Sequence, residues 1–383
     1  MTVTAAQGFK AAAVAAGIKE SGGTDLALVV NDGPQAHAAA VFTANRVVAA
    51  PVVWTRQAVS DHRLRAVVLN SGGANACTGE RGLSDARDTA QEASTALGLE
   101  IGDVAVCSTG VIGEYLPMSK LRTGVRAAAA SLAADNGHAA AEAIMTTDTV
   151  AKTTVVDCGG FTVGGMAKGA GMLAPNLATM LCVLTTDAIV DPQTAQQALR
   201  DACARTFDRL DSDGAMSTND TVILMCSGAR NVVADAGAVS EAVQQACADL
   251  SAQLLKDAEG STKDIAIQVS GAATETDAVE VARVVARNNL VKCAAFGNDP
   301  NWGRIVAAVG TTSADFEPGD IDVAVNDVWL CRSATAIADA SDVDLSGREL
   351  RITVDLHAGT ETATVWTNDL SVAYVHENSA YTS

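Results

Sequence analysis

The sequence predicts a layered α/β protein with a smaller, strand-rich part towards its C-terminal end. Short apolar runs alternate with long alanine-rich stretches of helical composition, which is the pattern of sheets covered by helices. The strand candidates after the polar stretch 311–320 are short and closely spaced. No internal period of roughly 20–50 residues is present, which argues against a solenoid or a propeller.

Taken in order, residues 26–30, 64–70 and 104–107 are rich in Val, Leu and Ala and predict strands. Apolar residues at three- and four-residue spacing predict helices over 84–97 and 120–143. Strands are expected at 153–156 and 180–184, followed by a helix over 192–207 that Asp191 caps and Pro192 opens. A strand at 222–226 precedes a helix over 241–257, for which Ser240 is the expected cap. The alternating run 265–269 predicts a strand, and 277–287 a helix with Thr276 as its cap. Further strands are expected at 305–309, 321–325, 350–356 and 362–366.

Composition narrows the function. Among 383 residues, 45 Asp and Glu outnumber 26 Lys and Arg, for a formal charge of −19, and no basic cluster offsets it. Such a surface repels phosphate backbones, so a small-molecule partner is expected and a nucleic acid is not. The longest apolar runs, such as 47–54, are too short to span a bilayer, and the opening MTVTAAQGFK lacks a signal-peptide pattern. A soluble, cytoplasmic protein is therefore expected. The nine cysteines contain no C-x-x-C pair, so they are read as small reduced hydrophobes rather than zinc ligands or a disulfide framework.

Several segments admit both a functional and an ordinary reading. Gly169, Gly171 and Ala174 match G-x-G-x-x-A, but Pro175 and Asn176 interrupt the helix that a dinucleotide fingerprint requires. The same glycines also suit a loop that delivers residues 175–179 into a turn before the strand at 180–184. There the Thr179 hydroxyl could attack the Ala178 carbonyl, and hydrolysis of the resulting ester would leave Thr179 as a new N-terminus. Its α-amine, with an ordinary pKa of roughly 7.7–8, would serve as base for its own hydroxyl. An Ala-Thr before a strand is ordinarily just that. Residues 107–113 leave a strand into a glycine-bearing turn, which is either a simple strand end or an oxyanion hole. The polar, glycine-rich loops 70–79 and 297–304 are of the kind that carries function. The five histidines, at 37, 62, 138, 357 and 376, form no H-x-x-x-H pair, and no G-x-S-x-G elbow accompanies them.

Together these segments resemble the ornithine acetyltransferase family, the self-cleaving glutamate N-acetyltransferases of arginine biosynthesis. The resemblance runs from Gly8-Phe-Lys10 and Ala16-Gly-Ile-Lys19 through Phe42-Thr-Ala-Asn-Arg46 with Ala50-Pro51, 70–79, 108–113, Met145-Thr-Thr-Asp-Thr149 and 168–187. It continues through Asp257-Ala-Glu-Gly-Ser-Thr-Lys263 and 297–304 to the stretch 374–383. It implies an αββα sandwich similar to N-terminal-nucleophile hydrolases but with different connectivity, occupying 1–275. A smaller C-terminal α+β domain, 276–383, would return its tail to the active site.

The resemblance further implies cleavage between Ala178 and Thr179, with Thr179 as nucleophile and Thr109 and Gly110 as the oxyanion hole. Thr146 (next to a second threonine, Thr147), Lys168, Thr179, Glu259, Asn378 and Ser383 would bind substrate. The implied reaction moves acetyl from N-acetylornithine to glutamate, with acetyl-CoA as a donor in some members. No cofactor or metal is implied. The expected partners are small-molecule substrates and the two cleavage products, assembled as α2β2. The rival reading is a self-cleaving N-terminal-nucleophile aminopeptidase or amidohydrolase.

Overall fold

Three sheets organise the chain, and two of them share a core. The structure, a computed structural model, describes residues 2–20, 22–174 and 180–380. In the first sheet, β1 (Phe9–Val14), β2 (Leu26–Asn31), β4 (Ala66–Ser71) and β5 (Val104–Thr109) lie in the order 1-2-4-5. The second has β3 (His37–Phe42), β9 (Thr221–Cys226), β8 (Leu181–Thr186), β7 (Thr162–Lys168) and β6 (Lys152–Asp157), in the order 3-9-8-7-6. Both are mixed: β4 runs parallel to β5 and β8 to β9, while the other neighbours in each sheet are antiparallel.

Alternation of side chains across each strand decides the layering. Ala27, Val29, Val67 and Leu69 from the first sheet meet Met166, Leu181, Val183 and Ile223 from the second in one buried cluster. The opposite face of the first sheet, with Leu26, Leu28 and Val106, is covered by α2 (Gly79–Leu97) and α3 (Met118–Ala130). The opposite face of the second, with Val163, Leu184 and Leu224, is covered by α5 (Pro192–Arg205) and α6 (Ala236–Lys256). Because both faces are buried, β2, β4, β5, β8 and β9 are buried throughout and read as continuous apolar runs.

The third sheet has the order β13 (Thr335–Ala336), β12 (Val328–Arg332), β11 (Asp322–Val325), β14 (Glu349–Asp355), β10 (Asp264–Ala272) and β15 (Glu361–Asn368). Its apolar face packs on α7 (Glu275–Arg287), α8 (Asn289–Phe296) and α9 (Trp302–Val309). Since β10 belongs to this sheet, the change of sheet comes earlier than the expected 275/276 division.

Some expectations are corrected. Residues 305–309 are not a strand but the end of α9, because Asn301 accepts the Arg304 N–H and starts a helix after Pro300. The expected helix over 120–143 divides into α3 and α4 (Gly137–Ala143), separated by the polar Asp135-Asn136 turn. The helix expected from 241 begins at 236, because Asp235 accepts from Gly237 and Ala238 N–H. The cap of α7 is Thr274, not Thr276, whereas Asp191 caps α5 as expected. The apolar run 47–54 leads into α1 (Ala50–Ala58), opened by Pro51. Six of the nine cysteines are buried and all nine are free; Cys77, Cys158 and Cys293 are exposed. Among the described residues no helix is long and apolar enough to cross a membrane.

Candidate active site

Lys168 ends β7 and pairs with Leu181 at the start of β8, so the connection between them leaves and re-enters the sheet at one place. Ala178 and Thr179, the expected cleavage site and nucleophile, lie outside the described residues, as does Ser383. The chain on either side of 175–179 is fixed by three aspartates. Gly169 donates its N–H to Asp148 Oδ1 at 2.6 Å, and Met172 donates to Asp213 Oδ2 at 2.6 Å. Met180 donates to Asp220 Oδ1 at 3.0 Å. Asp220 is fully buried, and burial pushes its carboxyl well above the usual range.

Below this connection lies a network of buried charge. Lys168, only 1% exposed, donates to Thr146 Oγ1 at 2.6 Å and stands 3.7 Å from Asp148 Oδ2. Lys152, also buried, bridges Asp148 and Asp257 at 2.6 Å each. Burial opposes ionisation of Asp148, but the ammonium groups of Lys168 and Lys152 outweigh it and hold the carboxyl at about 2. Burial lowers the Lys168 pKa against the pull of Asp148. Asp148 Oδ2 also accepts the Thr146 N–H at 3.0 Å. Of the two adjacent threonines it is therefore Thr146, itself exposed, that links buried Lys168 to the surface, while Thr147 lines a neighbouring cleft with Asp257 and Glu377.

The other side of the connection is reached from the C-terminal end. Glu259 donates its N–H to Ala170 O at 2.9 Å, and a Cβ on Gly171 would fall 2.5 Å from the Glu259 carboxylate. A side chain at 171 would push the Glu259 carboxylate aside. The amide of Asn378, on α10 (Val372–Ala380), donates to Glu259 Oε2 at 3.0 Å. Gly260, at φ +59°, lets the backbone of Tyr374 close over it, and Ser371 Oγ donates to Gly260 O at 2.5 Å. Residues 259 and 378 are thus held together across more than a hundred positions of sequence.

Thr109 ends β5, and its carbonyl accepts N–H groups from Gly72 and Gly73 at 2.9 and 3.0 Å. Gly110 has φ +132°, and a Cβ there would lie 2.5 Å from Gly73 N, so no other residue fits the turn. Asn219 donates to Ser108 O at 2.8 Å and to Ala74 O at 2.6 Å. Since Asp220, the next residue, holds Met180, one short segment ties the 109–110 turn to the chain just after position 179.

The structure therefore brings Thr146, Lys168, Glu259 and Asn378 to the 169–180 connection, and ties the turn of Thr109 and Gly110 to the same place. No helix begins within 169–174, so the dinucleotide reading has no structural counterpart. The histidines serve elsewhere: His37 bonds Val190 O, and His357 pairs with Asp322 in the third sheet. Among the described residues no group of three or more His, Cys, Asp or Glu is placed to hold a metal ion.

Sequence reasoning assigned no role to Asp148, Lys152, Asp213, Asn219, Asp220 or Asp257. Asp148 and Asp257 lie inside the segments that carried the resemblance, but their pairing through Lys152 spans 105 residues between Lys152 and Asp257 and is a tertiary fact.

The ArgJ family model matches residues 10–383. The chain is 60% identical to the arginine biosynthesis bifunctional protein ArgJ of Streptomyces avermitilis and 59% identical to the protein of that name from Thermobifida fusca. Each alignment covers 100% of both chains. Among solved structures, the ornithine acetyltransferase of Mycobacterium tuberculosis in complex with ornithine aligns over 47% of this chain and 96% of that one, at 53% identity and a TM-score of 0.45.

Proposed function

The chain belongs to the ArgJ family, and from that premise we propose that it is a glutamate N-acetyltransferase of arginine biosynthesis, moving acetyl from N-acetylornithine to glutamate. The observation that carries the reading is the pairing of opposite charges about one connection: Lys168 with Thr146 below it, and Glu259 with Asn378 across it. An amino acid with a carboxylate and an amine asks for such a pair.

In this reading the chain cleaves itself between Ala178 and Thr179, giving fragments 1–178 and 179–383 that stay associated and form an α2β2 assembly in the cytoplasm. The layers are those of an αββα sandwich related in plan to N-terminal-nucleophile hydrolases, with its own strand order. Thr179 Oγ attacks the acetamide carbon of N-acetylornithine after giving its proton to the Thr179 amine. Thr109 and the Gly110 N–H receive the developing oxyanion. The C–N bond breaks, ornithine leaves with the proton from that amine, and acetyl remains on Thr179. The glutamate amine then attacks the ester and regenerates the hydroxyl. Two half-reactions at one site predict ping-pong kinetics. The word bifunctional in the relatives' names supports acetyl-CoA as a second donor.

The test is acetyl transfer from N-acetylornithine with and without glutamate, in the native chain and in Thr179→Ala. We expect N-acetylglutamate to form only with the native chain, and loss of both self-cleavage and transfer by at least about a thousandfold in the variant. Acetate release that glutamate does not affect would favour the amidohydrolase instead.

A further inference from the structure

The segment Ala16-Gly-Ile-Lys19 has no role in the mechanism above, yet the fold fixes it against both halves of the site. Asp25, fully buried, accepts N–H groups from Ala16, Ile18 and Lys19 at 2.6, 2.5 and 3.0 Å, so its carboxylate locks the turn that presents Lys19. That turn lies against Gly72: a Cβ there would meet Ile18 Cγ2 at 2.8 Å and Lys19 N at 3.2 Å. Gly72 is one of the two residues whose N–H groups hold Thr109 O. The Lys19 side chain reaches the other way. Its Nζ donates to Met145 O at 2.7 Å, one residue before Thr146, and to Thr24 O at 3.3 Å.

Three lysines therefore gather near Asp148, and they differ in what they offer. Lys152 and Lys168 are enclosed, and both stand within ion-pair distance of Asp148. Lys19 is half-buried, and among the described residues no carboxylate lies within ion-pair distance of its Nζ. Two neutral carbonyls take two of its three N–H groups, leaving one for an incoming acceptor. Burial lowers its pKa, and the more distant Asp25 only partly offsets that cost. An ammonium partly stripped of water, with a donor to spare, gains most from an anion delivered by substrate.

We propose that Lys19 binds a substrate carboxylate, from its position between the oxyanion-hole turn and the Thr146–Lys168 pair. This rests on the transferase reading above. Two carboxylates qualify: the α-carboxylate common to N-acetylornithine and glutamate, and the side-chain carboxylate that only glutamate carries.

The experiment measures kcat and KM for each half-reaction in the native enzyme and in Lys19→Met, with N-acetylputrescine as a donor that lacks the carboxylate. If the α-carboxylate is bound, the variant raises KM about 10- to 100-fold for both natural substrates and leaves kcat/KM for N-acetylputrescine within about twofold. If the side-chain carboxylate is bound, only the KM for glutamate rises. Lys19→Arg, which keeps the charge, recovers most of the loss in either case. The proposal is overturned if neither KM moves, or if N-acetylputrescine suffers as much as N-acetylornithine, since a lysine that merely staples Thr24 to Met145 would affect both donors alike. Should the Met variant not fold, Lys19→Gln, which retains donors for the two carbonyls, carries the same comparison. A native enzyme that transfers no acetyl at all would overturn the transferase reading itself, whatever the variants do.

Discussion

Buried lysines occur in two regions of this molecule, and they are neutralised in different ways. In the double-sheet body, Lys152 and Lys168 face carboxylates, those of Asp148 and Asp257. At the third sheet, Lys263 donates to Leu345 O and Gly347 O, and Lys292 to Ser212 O, Thr367 Oγ1 and Asn368 O. A carbonyl is fixed in the chain, so an enclosed lysine such as Lys263 or Lys292, held by fixed acceptors and shut off from solvent, ties loops together. A carboxylate can be shared, and Asp148 is shared by two lysines, Gly169 N–H and Thr146 N–H at once. Burying an ion pair is poor value for stability alone, because desolvation cancels much of the attraction. Such a network fits a region that must present charge to a ligand, and the staples fit a region that closes the fold around it.

The largest expected effect strikes the shared carboxylate. Among the described residues, Asp148→Ala leaves Lys168 without an anion at ion-pair distance and Lys152 with only Asp257, both ammonium groups being buried. Loss of one member of a buried pair costs about 3–5 kcal/mol. Urea unfolding at pH 7 measures it, with Lys263→Met as the counterpart. That variant removes a staple and leaves two carbonyls short of a donor, at about 1–3 kcal/mol. Equal losses in the two variants would erase the distinction between network and staple.

The staple at Lys292 has a pH signature of its own. Burial pushes its pKa down to about 8, although Asp211, Asp213 and Asp369 oppose the shift. The folded chain therefore binds fewer protons than the unfolded chain between about pH 8 and the ordinary lysine value of about 10.5, and stability contributed by this group rises with pH across that window. The gain is on the order of 3 kcal/mol. Comparing unfolding free energies of native and Lys292→Met proteins from pH 7.5 to about 10.5 isolates it, since the variant loses the slope. Parallel curves would show that Lys292 keeps its charge through some other partner.

How far these features were legible in the sequence follows from the same physics. Strands buried on both faces, such as β2 and β9, announce themselves as unbroken apolar runs. The strands β1 and β3, FKAAAV and HAAAVF, escaped notice because alanine marks neither strand nor helix until its neighbours are known. Ile305–Val309 misled because five apolar residues have no period of their own, and the deciding signal was the Asn301 cap just ahead of them. Within the candidate site, the glycine-rich loops could be read from the sequence directly, and Thr146, Lys168, Glu259 and Asn378 only through the family resemblance. The aspartates could not, because what gives Asp148, Asp213 and Asp220 their roles is the backbone N–H that each receives from the 169–180 connection.

The smallest expected effect belongs to the network itself under acid. Asp148 is held at about 2 in the folded chain, because Lys168 and Lys152 outweigh the penalty of burial, against an ordinary value of 3.8. Its contribution is complete above about pH 4 and is lost as pH falls through the folded value, since the unfolded carboxyl takes up a proton first. That loss is about 2 kcal/mol. Other carboxylates titrate over the same range, so the native curve alone does not isolate Asp148. The difference between native and Asp148→Asn proteins between pH 5 and about 2 does, because the amide cannot ionise while its oxygen still accepts from Gly169 or Thr146. A difference that narrows by about 2 kcal/mol across this window places the charge of Asp148 in the network. A constant difference would mean that Lys152 and Lys168 gain nothing from ionised Asp148, and the body's buried lysines would then be staples like those of the third sheet.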